Sequence, residues 1–212
     1  MVEKIPTWWY SLLSGLIGVL VGYILSELTK VVRRVFSKPV LQLDFEEGDD
    51  YISHTPTGAK VDTPEGKRIE LSGEAYYIRI KVTNKRRKIA RNCTPYLINV
   101  EKIENSKPTR TLYCDSIPLA WSCAGEDNKY IKLDLAKDVN QFIDLLETIK
   151  NYEQFVVFIY SMPFRYHEVF KQHGIYLFTV QVVATDAKPA TIKIQFTWNG
   201  VWDDFEMKKY DK

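Results

Sequence analysis

The densest chemistry in this sequence is basic. Lys85, Arg86, Arg87 and Lys88 run together, and Arg91 follows close behind. Such a run suits an anionic lipid surface, where each cation contributes about 1 kcal/mol, or a phosphate-bearing ligand. No aromatic residue is interleaved in it, so it is a poor platform for stacked bases and nucleic acid is not an expected partner. It could also be nothing more than a solvated turn. The other reactive residue types are sparse. His167 and His173 superficially resemble a zinc-protease helix, but that chemistry needs two histidines four apart on one face. Cys93, Cys114 and Cys123 form no CxxC pair. Cys114 and Cys123 could approach across strands, yet two ligands do not make a structural zinc site, and buried free thiols are the expectation. The acidic clusters at Asp44–Asp50 and at Asp203, Asp204 and Glu206 lack the alternating ligands and central glycine of a calcium loop. No nucleophile elbow, phosphate-binding glycine loop or dinucleotide fingerprint is present. The expectation is a protein that is not an enzyme, with no cofactor and no metal.

The element that must position the basic run is a membrane anchor. No charged residue occurs between Trp8 and Ser26. A helix over residues 8–28 covers about 30 Å, the thickness of a hydrocarbon core. Trp8, Trp9 and Tyr10 suit the headgroup layer at its first edge. Residues 1–7 form a short preceding segment, and residues 29–39 a basic juxtamembrane extension of the helix that ends at Pro39. A cleaved signal peptide would need a basic leading segment and a small-residue cleavage site. MVEKIPT sets Glu3 against Lys4, and no such site follows the span, so an uncleaved anchor is expected. Lys30, Arg33, Arg34 and Lys38 follow the span and only Lys4 precedes it, which places the C-terminal part in the cytoplasm and the N-terminus outside. An odd cysteine count suits that reducing side. The sequon Asn92-Cys93-Thr94 would then face the wrong compartment for glycosylation. Ser14, Gly18, Gly22 and Ser26 recur every four residues, a ridge of small side chains that lets helices approach closely in lipid.

Residues 40–212 read as one domain. Its size is ample for a core, and 29 basic residues against 27 acidic ones give no bulk signal for a polyanionic partner. Ala75–Thr83 alternates, with Tyr76, Ile78, Ile80 and Val82 on one face and Arg79 and Lys81 on the other. Similar patterns predict strands at Val40–Phe45, Thr94–Ile103, Leu112–Cys114, Pro118–Ser122, Tyr130–Leu135, Phe155–Ser161, Tyr176–Thr185 and Thr191–Trp198. The last two are joined through a hairpin at Asp186–Pro189. Glu46–Gly73 is turn-rich and reads as a loop or a short hairpin. Asp138–Ile149 fits a helical period as well as a strand, and its neighbours favour strand. Met162–Gly174 reads as a connection, and Trp202–Phe205 as a last short pairing. Trp121 and Trp198 belong to the core; core packing is also the favoured reading of Trp202, whose other reading is a partner-interface anchor. The architecture expected is mainly β: one N-terminal transmembrane helix, then an antiparallel β-sandwich of about eight or nine strands.

The segments YYIRIKVTNKRRKIARNCTPYLINV and YLFTVQVVATDAKPATIKIQFTWNGVWD resemble the immunoglobulin-like β-sandwich domains of single-span prokaryotic membrane proteins. The resemblance is one of pattern, and it carries no activity with it. Together these readings imply a membrane-anchored, non-enzymatic binding or scaffold module. Its lipid-embedded span would self-associate or join a larger membrane complex, and its sandwich would recognise a protein partner. The alternative is a ligand-sensing membrane effector that oligomerises and perturbs the bilayer.

Overall fold

The computed structural model describes residues 7–36, 38–62, 68–125 and 128–210. Within these ranges the side chains of 7–13, 33–36, 59–62, 68–72 and Phe164 lie outside the description. The headgroup-layer positions Trp8, Trp9, Tyr10, Arg33 and Arg34 are among those side chains. The chain divides into two compact units, Met1–Lys38 and Pro39–Lys212.

The first unit holds one continuous helix, α1 (Thr7–Phe36). Span and juxtamembrane extension are thus one element, and it stops short of Pro39, which disfavours helical geometry in the residue before it. Ser14–Val32 is long and apolar enough to cross a membrane, with mean hydropathy 1.6. A Cβ added at Gly15, Gly18 or Gly22 would meet nothing within 4 Å beyond the neighbouring backbone of the helix itself.

The second unit is built from antiparallel strands. The first sheet places β1 (Leu41–Asp44) and β2 (Ile52–Asp62) along one side of β3 (Arg68–Asn84), then β9 (Asn140–Ile149). β10 (Phe155–Val157) and β7 (Ala120–Trp121) pair with the outer side of β9. The second sheet runs β13 (Phe205–Lys209), β12 (Ala190–Trp198), β11 (Gly174–Val183), β4 (Ala90–Glu104). Its other edge is shared by β5 (Lys107–Arg110), β6 (Ile117–Pro118) and β8 (Leu133–Leu135), all on β4. One segment passes between the sheets. Pro118 pairs with Tyr96 of β4, and Trp121 pairs with Ile143 of β9.

The alternation of β3 is realised as expected. Ile78, Ile80 and Val82 are fully buried, while Tyr77, Arg79 and Lys81 lie half-buried on the other face. Residues 140–149 are a strand because β3 and β10 pair on either side of them. The helical spacing there reflects a bulge opposite Ile78 and Arg79, which sets Leu145 and Leu146 out of simple alternation.

Several segments differ from expectation. Glu46–Gly73 contains a long strand, β2, paired with β3 from Ile52↔Ile78 to Asp62↔Arg68. Pro56 is tolerated because β2 is an edge strand, where a missing N–H leaves no partner unsatisfied. Leu112–Cys114 is irregular, held by side-chain bonds rather than a ladder. Only Leu133–Leu135 of the Tyr130–Leu135 prediction pairs. The Met162–Gly174 connection includes a 3-10 turn (Phe164–Tyr166) and a short helix, α2 (His167–Lys171). The last strand begins at Phe205 rather than Trp202. Of the three thiols only Cys93 is buried; Cys114 and Cys123 are exposed, because both fall in irregular segments that the ladders do not cover.

Phe155 packs the two sheets together. Its ring meets Tyr176 and Phe196 edge-on, each at 5.1 Å, Phe170 at 5.7 Å and Trp198 at 5.8 Å. Edge-to-face pairs like these add about 0.5–1.5 kcal/mol each beyond burial.

Candidate functional site

The basic run lies on the loop between β3 and β4, at the end of the sandwich where the chain arrives from Lys38. The residue that builds this end is Asn84, the last of β3 and fully buried. Its Nδ2 donates to the carbonyls of Lys88 (2.7 Å) and Leu135 (3.0 Å). Its Oδ1 accepts the N–H groups of Val40 (3.3 Å) and Arg86 (3.1 Å). Its backbone carbonyl accepts from Asp138 at 2.9 Å, and the next N–H, that of Lys85, donates to Val40 at 2.8 Å. One amide therefore ties the arriving chain, the basic loop and the loop before β9. A fourth segment, between β11 and β12, is tied to the same end through Asp186. Its carboxylate accepts the Arg91 N–H at 3.0 Å and pairs with Lys88 at 3.6 Å.

These contacts gather cations that are far apart in sequence. Lys85, Arg86, Arg87, Lys88 and Arg91 are all exposed, and Lys137 and Lys188 come to the same end. The acids there are already engaged. Asp138 pairs with Lys137 at 2.9 Å, Asp186 is held as above, and Asp134 accepts the Asn92 N–H at 2.9 Å. Among the described residues Lys85, Arg86 and Arg87 pair with no acid. Three apolar side chains are interspersed among them: Val40, Ile89 and Val139, 45%, 46% and 43% exposed. Sequence reasoning found the run and missed Asn84, Lys137, Lys188 and the three apolar residues. Only the folded chain puts them together, so spacing carried no signal for them.

The opposite end is different in kind. Trp202 is half-buried, its ring 5.3 Å from Tyr76 and 5.8 Å from His54, with the Lys150 ammonium 5.6 Å over it. Thr148 donates to its carbonyl at 2.7 Å. Much of the surface expected to face a partner is thus spent within the chain. Beside it Gly200 adopts φ +92°, and a Cβ there would clash with the His173 ring. His167 and His173 are separated by the end of α2, as their spacing requires. Also at this end is a groove of about 280 Å³ lined by Lys102, Glu104, Arg110, Leu112, Glu168 and Gln172. Lys102 donates to Gln172 at 2.6 Å, and burial draws its pKa down. Two cations and two carboxylates leave the groove without a dominant sign.

A third polar group lies on the outer face of the first sheet. Glu147 is 1% exposed and accepts from Thr57 at 3.2 Å; Thr57 in turn lies 2.9 Å from the Tyr77 hydroxyl. Asp144 accepts from Ser122 at 2.5 Å. Burial raises the pKa of both carboxyls and pushes Tyr77 up to about 12. The Cys93 thiol, also buried, is pushed up to about 11 and is correspondingly inert. Among the described residues no three His, Cys, Asp or Glu side chains converge to hold a metal.

No protein family, curated protein or solved structure matches the chain. The reading of its surfaces therefore stands on the geometry described above.

Proposed function

We propose that the chain is a single-pass membrane protein whose helix holds a β-sandwich at the cytoplasmic face as a non-enzymatic binding module. The observation that carries this is the exposure of α1. Its large apolar side chains from Leu16 to Val32 are 48–74% exposed, and the face they leave is lined by Gly18 and Gly22, with no charged residue before Glu27. A helix apolar on every side belongs in lipid, since each such side chain left in water costs roughly 1.5–3 kcal/mol. The ridge Ser14, Gly18, Gly22 and Ser26 supports association with a second copy or with another spanning helix. The sandwich then acts through position and effective concentration, with a protein partner and no covalent step.

Alkaline carbonate extraction tests the anchor: the chain is expected in the membrane pellet, and release into the supernatant would refute the reading. Crosslinking in mild detergent tests the ridge. Gly18→Leu with Gly22→Leu should abolish the self-crosslink or the partner band.

The groove at Lys102 and Arg110 favours a second reading, a ligand-sensing effector whose associated spans perturb the bilayer. Dye leakage from vesicles carrying the full chain separates the two, because a scaffold leaves the vesicles tight.

A further inference from the structure

We infer that the loop end organised by Asn84 is a docking surface for anionic membrane lipid. The inference rests on the membrane reading of α1.

Chain reach is the first support. Val40 is bonded directly into this end, and only three residues separate it from Phe36, the last of α1. A fully extended chain covers about 3.5 Å per residue, so Val40 lies within roughly 14 Å of the helix end in any arrangement of the two units. The apolar stretch ends at Val32, about one helical turn earlier. The loop end is therefore held within a short distance of the headgroups, comparable to the reach of an arginine side chain plus a screening length of about 8 Å.

Surface chemistry is the second. Lys85, Arg86 and Arg87 are exposed and unengaged by acids among the described residues, while Asp138 and Asp186 have partners of their own. Val40, Ile89 and Val139 are exposed on the same end. Among the described residues seven large apolar side chains are exposed on the sandwich, and these are three of them. Cations around a few apolar side chains match an interface of phosphate headgroups over acyl chains. A soluble phosphate ligand would use the cations and leave the apolar groups in water.

The third support is preorganisation. Asn84 fixes three of the four segments through its own hydrogen bonds, so little ordering is left for the moment of contact.

The test uses the full chain in nanodiscs of phosphatidylcholine, with and without phosphatidylserine, followed by amide hydrogen exchange. Residues 85–89 and 137–139 are expected to exchange several-fold more slowly in the anionic discs, and the difference should vanish in high salt. The combined variant Lys85→Ser, Arg86→Ser, Arg87→Ser should lose the difference while still entering the discs. Ile89→Ser with Val139→Ser should weaken it. A chain that stays with the discs but exchanges identically in the two lipids overturns this inference alone. A chain that does not stay with the discs overturns the membrane reading and this inference with it. Equal slowing by inorganic phosphate in neutral discs would assign the surface to a soluble anion and overturn the lipid assignment.

Discussion

The two ends of the sandwich are closed by opposite means. At the near end one buried amide, Asn84, satisfies backbone groups from three chain segments, and the surface above it is basic. At the far end the closure is apolar: Phe155 sits edge-on to five rings, and Trp202, Tyr76 and His54 cluster over the corner. The difference teaches how each end can be used. Packing is non-directional and tolerates exchange of similar shapes. A hydrogen-bonded hub is directional, and it holds irregular loops in one arrangement while leaving their side chains free for contact.

The largest expected effect is at the apolar end. Phe155→Ala should cost about 4 kcal/mol in urea denaturation, and Phe155→Leu should recover much of that loss. Asn84→Ala should come next, at about 3 kcal/mol, because several buried backbone groups lose their partner. Asn84→Leu should recover nothing. If Leu rescues position 84 as well as it rescues 155, the near end is closed by packing and the contrast fails.

Gly200→Ala sharpens the far end. The left-handed backbone and the His173 ring together should cost about 2 kcal/mol. In a His173→Ala background the cost should shrink to the backbone part alone.

The smallest effect concerns the sheet face between the ends. Glu147 in the unfolded chain ionises near its ordinary 4.5, and burial raises that value in the folded chain. Between the two values the folded state keeps a proton the unfolded state has lost, so stability falls as pH rises through that window and is level above it. Glu147→Gln should flatten this slope, with a remainder from Asp144, whose pKa is also raised by burial. A variant with an unchanged slope would show that Glu147 does not carry it.

Much of this was legible along the chain. The charge-free stretch from Trp8 to Ser26 marked α1, and alternation marked the buried faces of β3 and β12, which place Ile78 and Ile194 inside. The basic run was legible as charge. What surrounds it was not, because Lys137 and Lys188 come from loops remote in sequence. The ribbon of β2 was hidden by Pro56 and Gly58, which read as turn residues until an edge position makes them acceptable. The exposure of Cys114 was missed because an irregular segment carries no period to read.

By itself, then, the sequence determined where the chain is apolar on all sides, which residues alternate inward, and where charge is dense. Those are properties of neighbours, set by helical and strand periods. The tertiary structure alone decided that Asn84 would gather the near-end loops, that Phe155 would close the far end, and which cations would share a surface. Those pairings span dozens of residues, and a contact between remote segments leaves no period in either of them.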